Sequence, residues 1–264
     1  MGILMCGVLY SNKKMENEII YDIRWSDTVD EKFISDYRYV CSTVFKCDFT
    51  RGQFDKKFIK NIYGPSVLVV VYIDDVPSAA RALWRNDIEG EEAYQPGDTC
   101  VLENCRGKGV FSNMTKKAIA SLPKSAIIYN FPNPSSFPGY IKMGWTLVHD
   151  YSMSLLTNYS MYKKDHPIMM DKAYADWWIK GRNLYYTKRS GHYFLMHKDH
   201  RPFCYRILAE AEEDIAKQFR HIHFGLFFYK SIKCPWYSRR LALAHVVSKN
   251  ANIKYIPIWK IDAV

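Results

Sequence analysis

The chain has 264 residues, of which 48% are hydrophobic and 16% aromatic, and its 37 Lys+Arg against 27 Asp+Glu leave a net charge of +10. That apolar content supports a packed core and excludes a disordered chain, while the length fits one large domain or two small ones. The longest apolar run, "SVLVVVYI" at 66–73, is too short to cross a bilayer as a helix. The opening "MGILMCGVLY" lacks the basic start and cleavage site of a signal peptide, and Cys6 breaks the myristoylation pattern. Seven cysteines form no CxxC pair, which fits reduced thiols and a cytoplasmic setting. Residues 1–150 hold 18 basic and 18 acidic side chains, so the whole positive excess falls in 151–264, together with seven of the eight histidines. This asymmetry predicts two units, 1–150 and 151–264, with different tasks.

In chain order, "IIYDIRW" (19–25) reads as a strand. A helix follows to about residue 45, capped by Ser26 or Asp27, with Phe33, Tyr37, Val40 and Val44 at helical spacing. Residues 66–73 form a β-branched strand, Asp74 and Asp75 a turn, and "AARALWR" the returning strand. The polar stretch 85–98, with Gly90, Pro96 and Gly97, reads as a loop, and "DTCVL" as a short strand. Next comes "ENCRGKGVFSNMTKKAIASL" (103–122). Its apolar stripe of Phe111, Met114, Ala118, Ile119 and Leu122 predicts an amphipathic helix stopped by Pro123. "AIIYNF" (126–131) is a strand, "PNPSSFPGYIKMGW" a loop with a short helix, and Trp145 begins another strand. Beyond 150, "DKAYADWWIKG" and "DIAKQFRHI" read as short helices. "LYYTKRSGHYFLMHK" reads as a hairpin turned at Ser190-Gly191, and "CYRILAEAEE", "FGLFFYK" and "IKYIPIWKI" as strands. The order predicts a mixed α/β layer fold.

The glycine loop carries the chemistry. A strand ending at Val101-Leu102, then Arg106-Gly107-Lys108-Gly109, then a helix, turns free backbone N–H groups and the positive end of the helix dipole toward one point. Small residues let a pyrophosphate approach the backbone. The Walker pattern GxxxxGK[ST] is lacking, and the dinucleotide fingerprint does not fit, since Ser112 stands where its third Gly or Ala would be. Alone, the motif suits a tight turn into a surface helix equally well.

Its context resembles the GNAT superfamily of acyl-CoA-dependent acetyltransferases. Arg106, Gly107, Lys108, Gly109 and Val110 match the family signature of Gln/Arg-x-x-Gly-x-Gly/Ala, with Phe111 in place of the last small residue. Asn133 and Tyr140-Ile141-Lys142-Met143-Gly144-Trp145 match a second block, with Trp for Phe. The resemblance covers about residues 19–150. It implies a GNAT fold, a central mixed sheet flanked by helices, followed here by a second, smaller and degenerate GNAT-like α/β unit. By that resemblance acetyl-CoA lies between two splayed strands, with its pyrophosphate on the amides of 106–111. Val101 contacts the pantetheine arm and polarises the thioester, Asn133 contacts the cofactor arm, and Tyr140 is the general acid. The base is open among Asp98, Glu103, Glu91 and Glu92, with Asp98 favoured, or a chain of waters. The acceptor implied is an amine, an amino sugar or its nucleotide-linked form first. The alternatives are a longer acyl donor, an oxygen acceptor, or a module that binds CoA or a polyanion without turnover.

In the second half, Lys188, Arg189, Lys233, Arg239 and Arg240 interleave with Tyr185, Tyr186, Trp236 and Tyr237. This pattern suits an anionic acceptor or a solvated basic face better than nucleic acid. His197-x-x-His200 and His221-x-His223 lack partners at ligand spacing, so no metal site is expected. Trp177 and Trp178 read as packing residues.

Overall fold

The computed structural model describes residues 18–232, 244–250, 253 and 255–260. The N-terminal apolar run and Lys233, Trp236, Tyr237, Arg239 and Arg240 lie outside the described residues.

β1 (Ile19–Trp25) leads to α1 (Glu31–Phe45), whose spacing buries Phe33, Tyr37 and Val40. The cap is Asp30, not Ser26 or Asp27: its carboxylate accepts the Phe33 N–H at 2.8 Å. Ser26 belongs to the turn leaving β1 and donates its hydroxyl to the Phe58 carbonyl. α2 (Arg51–Phe54) opens with a Thr50/Gln53 capping box and widens into a π turn, Asp55–Ile59. β2 (Val67–Ile73) and β3 (Val76–Arg85) form a hairpin turned at Asp74 and Asp75, both at positive φ. The stretch expected as a loop at 85–98 is instead half strand. β4 (Ala93–Val101) pairs along β3 from Arg85↔Tyr94 to Ala79↔Val101, because the long β3 edge satisfies its backbone despite the Pro and Gly. Then follow α3 (Val110–Ala120), β5 (Ile127–Asn130), α4 (Phe137–Lys142) and β6 (Thr146–Leu155).

The second half contributes α5 (Tyr159–Asp165), α6 (Lys172–Tyr174) with a π turn at Ala175–Ile179, and the Ser190-Gly191 hairpin of β7 (Tyr185–Arg189) and β8 (His192–Lys198). β9 (Cys204–Ala211), α7 (Glu213–Ala216), β10 (Arg220–His221), β11 (Leu226–Ser231) and β12 (Ala244–Ser248) complete it. β12 has no counterpart among the expected strands. Conversely, no strand occurs among the described residues of "IKYIPIWKI". Pro257 removes a ladder donor there, and Ile258–Lys260 make one helical turn.

Among the described residues one twelve-stranded sheet runs β1-β2-β3-β4-β5-β12-β6-β11-β9-β8-β7-β10. Its order is nearly symmetric about the central β12–β6 pair. On each side an antiparallel meander (β2-β3-β4, or β7-β8-β9) is followed by a parallel strand (β5, or β11). The next strand on each side comes from the other half. β12 pairs with β5, and β6 pairs with β11. A boundary at residue 150 therefore falls inside β6. The halves also share one core, in which Trp84 from β3 packs 4.9 Å from Trp178, alongside Phe33, Tyr174 and Trp259.

The parallel pairs β4–β5 and β9–β11 are both short. β9 and β11 pair over Cys204–Arg206 and Leu226–Phe228, and β4 and β5 only at Ala93↔Ile127 and Tyr94↔Ile128. Beyond β9–β11 the chain fills its own gap. The His166 Nε2–H donates to the Lys230 carbonyl of β11 at 2.6 Å, and the Met170 N–H donates to the Glu210 carbonyl of β9 at 3.0 Å. Tyr162 packs beneath, against Phe194 and Tyr229.

Candidate active site

Beyond β4–β5 the gap is open. Two features of β4 stop the pairing. Pro96 carries no N–H, and the register slips so that Asp98 and Thr99 together face Arg81, a β-bulge with Asp98 at φ 47°. The strands diverge around a cavity of about 610 Å³. Pro96, Thr99 and Val101 line it from β4, and Asn130 to Asn133 from β5 and its exit. Ser136, Gly139 and Tyr140 of α4 form another wall, and Val44 and Phe45 at the end of α1 a third.

The glycine loop stands at the rim. Gly107 and Gly109 adopt φ of 78° and 73°, the left-handed region open to glycine. An added Cβ would meet nothing at Gly107 and only the Asn113 Nδ2 at 3.8 Å at Gly109, so conformation, not space, calls for glycine. Gly109 is the N-cap of α3 and supplies no side-chain cap, which leaves the first-turn amides free of side-chain partners at the positive end of an 11-residue helix. Gly107, Lys108 and Gly109 are exposed, whereas the Val110 side chain is buried under the helix. Of this loop, Arg106 and Phe111 line the cavity itself. The Arg106 Nε–H donates to the Val101 carbonyl at 3.2 Å, tying the loop to the end of β4.

Asn133 lines the cavity and shapes its wall. Its Oδ1 accepts the Ser136 N–H at 2.9 Å and its carbonyl accepts the Phe137 N–H at 3.0 Å, which starts α4. The Tyr140 side chain is only 2% exposed yet borders the cavity. Its ring meets Phe111 and Trp145 edge to face, at 5.9 and 4.9 Å between centroids. Its hydroxyl oxygen accepts from the Arg81 Nη2 at 2.6 Å.

The favoured base does not reach this cavity. Asp98 turns away at the bulge, pairs with Lys57 Nζ at 3.0 Å and accepts the Tyr37 hydroxyl at 3.2 Å. Burial and the Asp98 charge hold the Tyr37 hydroxyl well above its ordinary range, so it stays a donor to that carboxylate. Glu103 is exposed in the turn before the loop. Glu91 closes a bridge to Ile88, and Glu92 accepts the Tyr94 hydroxyl at 2.6 Å. Among the described lining residues there is no Asp, Glu or His. No three His, Cys, Asp or Glu among the described residues are grouped to hold a metal ion.

Sequence reasoning missed three contributors: Val44 with Phe45, Arg81, and β12, whose Val247 pairs with Asn130 of the cavity wall. Arg81 left a signal. Period-two alternation sets it on the same face of β3 as Ala79 and Leu83, so it is a charge on a core-facing position.

An antiparallel meander bulged in its last strand, a parallel partner splayed from it, and a glycine turn into the connecting helix define a class: this is the fold of the GNAT acyltransferases. Among solved structures, the chain is similar to a conserved protein of unknown function from Enterococcus faecalis V583 described as a probable N-acyltransferase. Their identity is 10% over 88% of this chain and 72% of that one, with a TM-score of 0.53. That likeness spans both halves. The chain is also similar to Escherichia coli ElaA (15% identity, 51% of this chain and 91% of that one, TM-score 0.42). A third similarity is to a GCN5-related N-acetyltransferase from Kribbella flavida (12%, 86% and 71%, TM-score 0.46). No family model matches the sequence, nor does any curated protein sequence.

Proposed function

We propose that the chain transfers an acetyl group from acetyl-CoA to an amine, in a ternary complex, within the β4–β5 cavity. The observation that carries this reading is the Tyr140 side chain bordering a cleft whose rim is the uncapped start of α3. The residues present fit the cosubstrate. The amides of 107–111 and the Arg106 guanidinium offer donors to a pyrophosphate. The strand ends at Thr99–Val101 and the exit of β5 at Asn130–Asn133 offer an extended slot for the pantetheine arm.

In the reaction the amine nitrogen attacks the thioester carbon and the C–S bond breaks. The thiolate takes the Tyr140 proton, and the proton lost by the amine goes to solvent water. With no carboxylate or histidine among the described lining residues, water is the base this reading assigns. The second half acts as a degenerate GNAT-like unit: its corresponding opening is filled by His166 to Met170 rather than left for a ligand. Its excess of basic residues favours an anionic acceptor, an amino sugar or nucleotide-linked amino sugar being the first class to try. The free thiols of Cys41, Cys47, Cys100, Cys105 and Cys204 favour a cytoplasmic setting. No described helix is long and apolar enough to cross a membrane.

Calorimetric titration with acetyl-CoA tests the binding half, and thiol release across an amine panel tests the chemistry. Binding that disappears in Arg106→Glu, and turnover that falls about 100-fold or more in Tyr140→Phe, are expected. A parent chain that binds no acetyl-CoA refutes the reading. Binding without thiol release from any amine leaves a CoA-binding module.

A further inference from the structure

Arg81 is wholly buried, with 0% exposure, at the centre of β3. Its sole hydrogen bond among the described residues runs from Nη2 to the Tyr140 hydroxyl oxygen at 2.6 Å, while Nε and Nη1 have no partner. A buried guanidinium without a carboxylate is a costly arrangement, and a neutral phenol does not offset it. The guanidinium instead lies over aromatic faces, 5.1 Å from the Phe111 centroid and 5.7 Å from that of Tyr140. Phe111 closes the group from the helix side. It packs so tightly on α4 that a Cβ at Gly139 would come within 3.2 Å of its Cε1.

The directions of these bonds matter. A guanidinium can only donate, so the Tyr140 oxygen accepts from it. With the Arg81 N–H on that oxygen, the phenolic hydrogen is directed away from the guanidinium, and Tyr140 borders the open cavity.

We infer that Arg81 is the positioning residue of this site: it sets the Tyr140 hydroxyl as a donor into the cavity and holds the phenolate left behind when that proton moves. The inference rests on the transferase reading proposed above. In the step it supports, the thioester C–S bond breaks as the amine N–C bond forms. The sulfur lone pair takes the Tyr140 proton, and the phenolate sits against the guanidinium until water returns the proton lost by the amine. Charge is thus conserved, and the buried cation gains an anion only while the thiolate is being protonated. Phe111, where the family resemblance calls for a small residue, shields that pair from water.

Four variants test this: Arg81→Met, Arg81→Lys, Tyr140→Phe and the Arg81→Met/Tyr140→Phe double. In Arg81→Met the turnover number should fall about 10- to 100-fold, with the KM for acetyl-CoA unchanged within about twofold. The double variant should be no slower than Tyr140→Phe alone, because both act through one proton. Arg81→Lys should recover part of the loss. A second readout needs no turnover. The Tyr140 C–O stretch, isolated as the infrared difference between parent and Tyr140→Phe, should shift in Arg81→Met and return toward the parent value in Arg81→Lys. Parent-like turnover in Arg81→Met, losses that multiply in the double variant, or an unshifted stretch each overturn the inference. If Arg81→Met fails to fold, Arg81→Lys carries the test: turnover between those of the parent and Tyr140→Phe, with a stretch displaced from the parent value, supports the inference, and parent-like values of both overturn it. A parent chain that binds no acetyl-CoA sinks the transferase reading instead, and the stretch still decides whether Arg81 sets the hydroxyl.

Discussion

His166 gives the sharpest test of how the second half is closed. Its ring is 3% exposed among Tyr151, Tyr162 and Tyr229, and its Nε2–H donates to the Lys230 carbonyl. Burial drives its pKa down to about 4, against opposing pulls from that hydrogen bond and from Asp165. The folded value lies below the ordinary 6.5, so the unfolded chain takes up the proton first as the solution is acidified. The stability tied to the neutral ring is therefore complete above about pH 6.5 and is lost progressively down toward pH 4. Linkage between those two values gives a loss of about 2 kcal/mol between pH 7 and pH 5. In His166→Gln an amide can still donate to the Lys230 carbonyl but cannot titrate. Urea unfolding of both proteins at pH 7 and pH 5 isolates the effect, since the other titrating groups are common to both. The parent should lose about 2 kcal/mol more than the variant. Equal losses would refute the claim that a neutral histidine plugs this gap.

Three further outcomes follow from the geometry. Gly109→Asp should change stability by less than about 1 kcal/mol, because Asp tolerates the left-handed region and suits a helix start, yet weaken acetyl-CoA binding about tenfold or more by calorimetry. Asp98→Asn should lower the unfolding temperature by weakening the pair with the buried Lys57, while thiol release stays at the parent rate, since Asp98 lies outside the cavity. Val247→Ala, at 0% exposure, should cost about 2 kcal/mol in urea unfolding from the two methylene equivalents removed and the cavity left.

The first half was legible where local chemistry decides. Alternation marked β1, a β-branched run marked β2, paired aspartates marked the β2–β3 turn, and the glycines marked the start of α3. It was illegible where a partner strand decides. Residues 93–98 look like a loop by composition, and become β4 because the β3 edge is there to pair with them. The five residues of β12 carry no turn signal or periodicity that sets them apart, and their place is fixed by β5 and β6 on either side. Of the candidate site, Arg106, Phe111, Asn133, Val101 and Tyr140 come together at the cavity, and Asp98 does not, because one bulge residue turns its side chain to the opposite face of the sheet. No local pattern announces a bulge of that kind. Ser26 and Asp27 were equally plausible caps by residue type. Asp30 caps α1 because the chain makes a further turn, with the Thr28 N–H donating to the Trp25 carbonyl, before the helix begins.

The exchange of β6 and β12 has a consequence for how the molecule is made. The wall of the cavity at Asn130 is braced by Val247, well over a hundred residues later in the chain. A ribosome that has delivered β1 to β6 has delivered every side chain of the proposed site, but not the strand that covers the edge of β5. Until β12 arrives, that edge is an open template for pairing, and so is the facing edge of β6, whose other edge is already held by β11. Assembly of the site is thus a late event, and synthesis halted shortly before residue 244 should yield a chain that has the chemistry in its sequence, lacks the frame to hold it, and aggregates through the exposed centre of its own sheet.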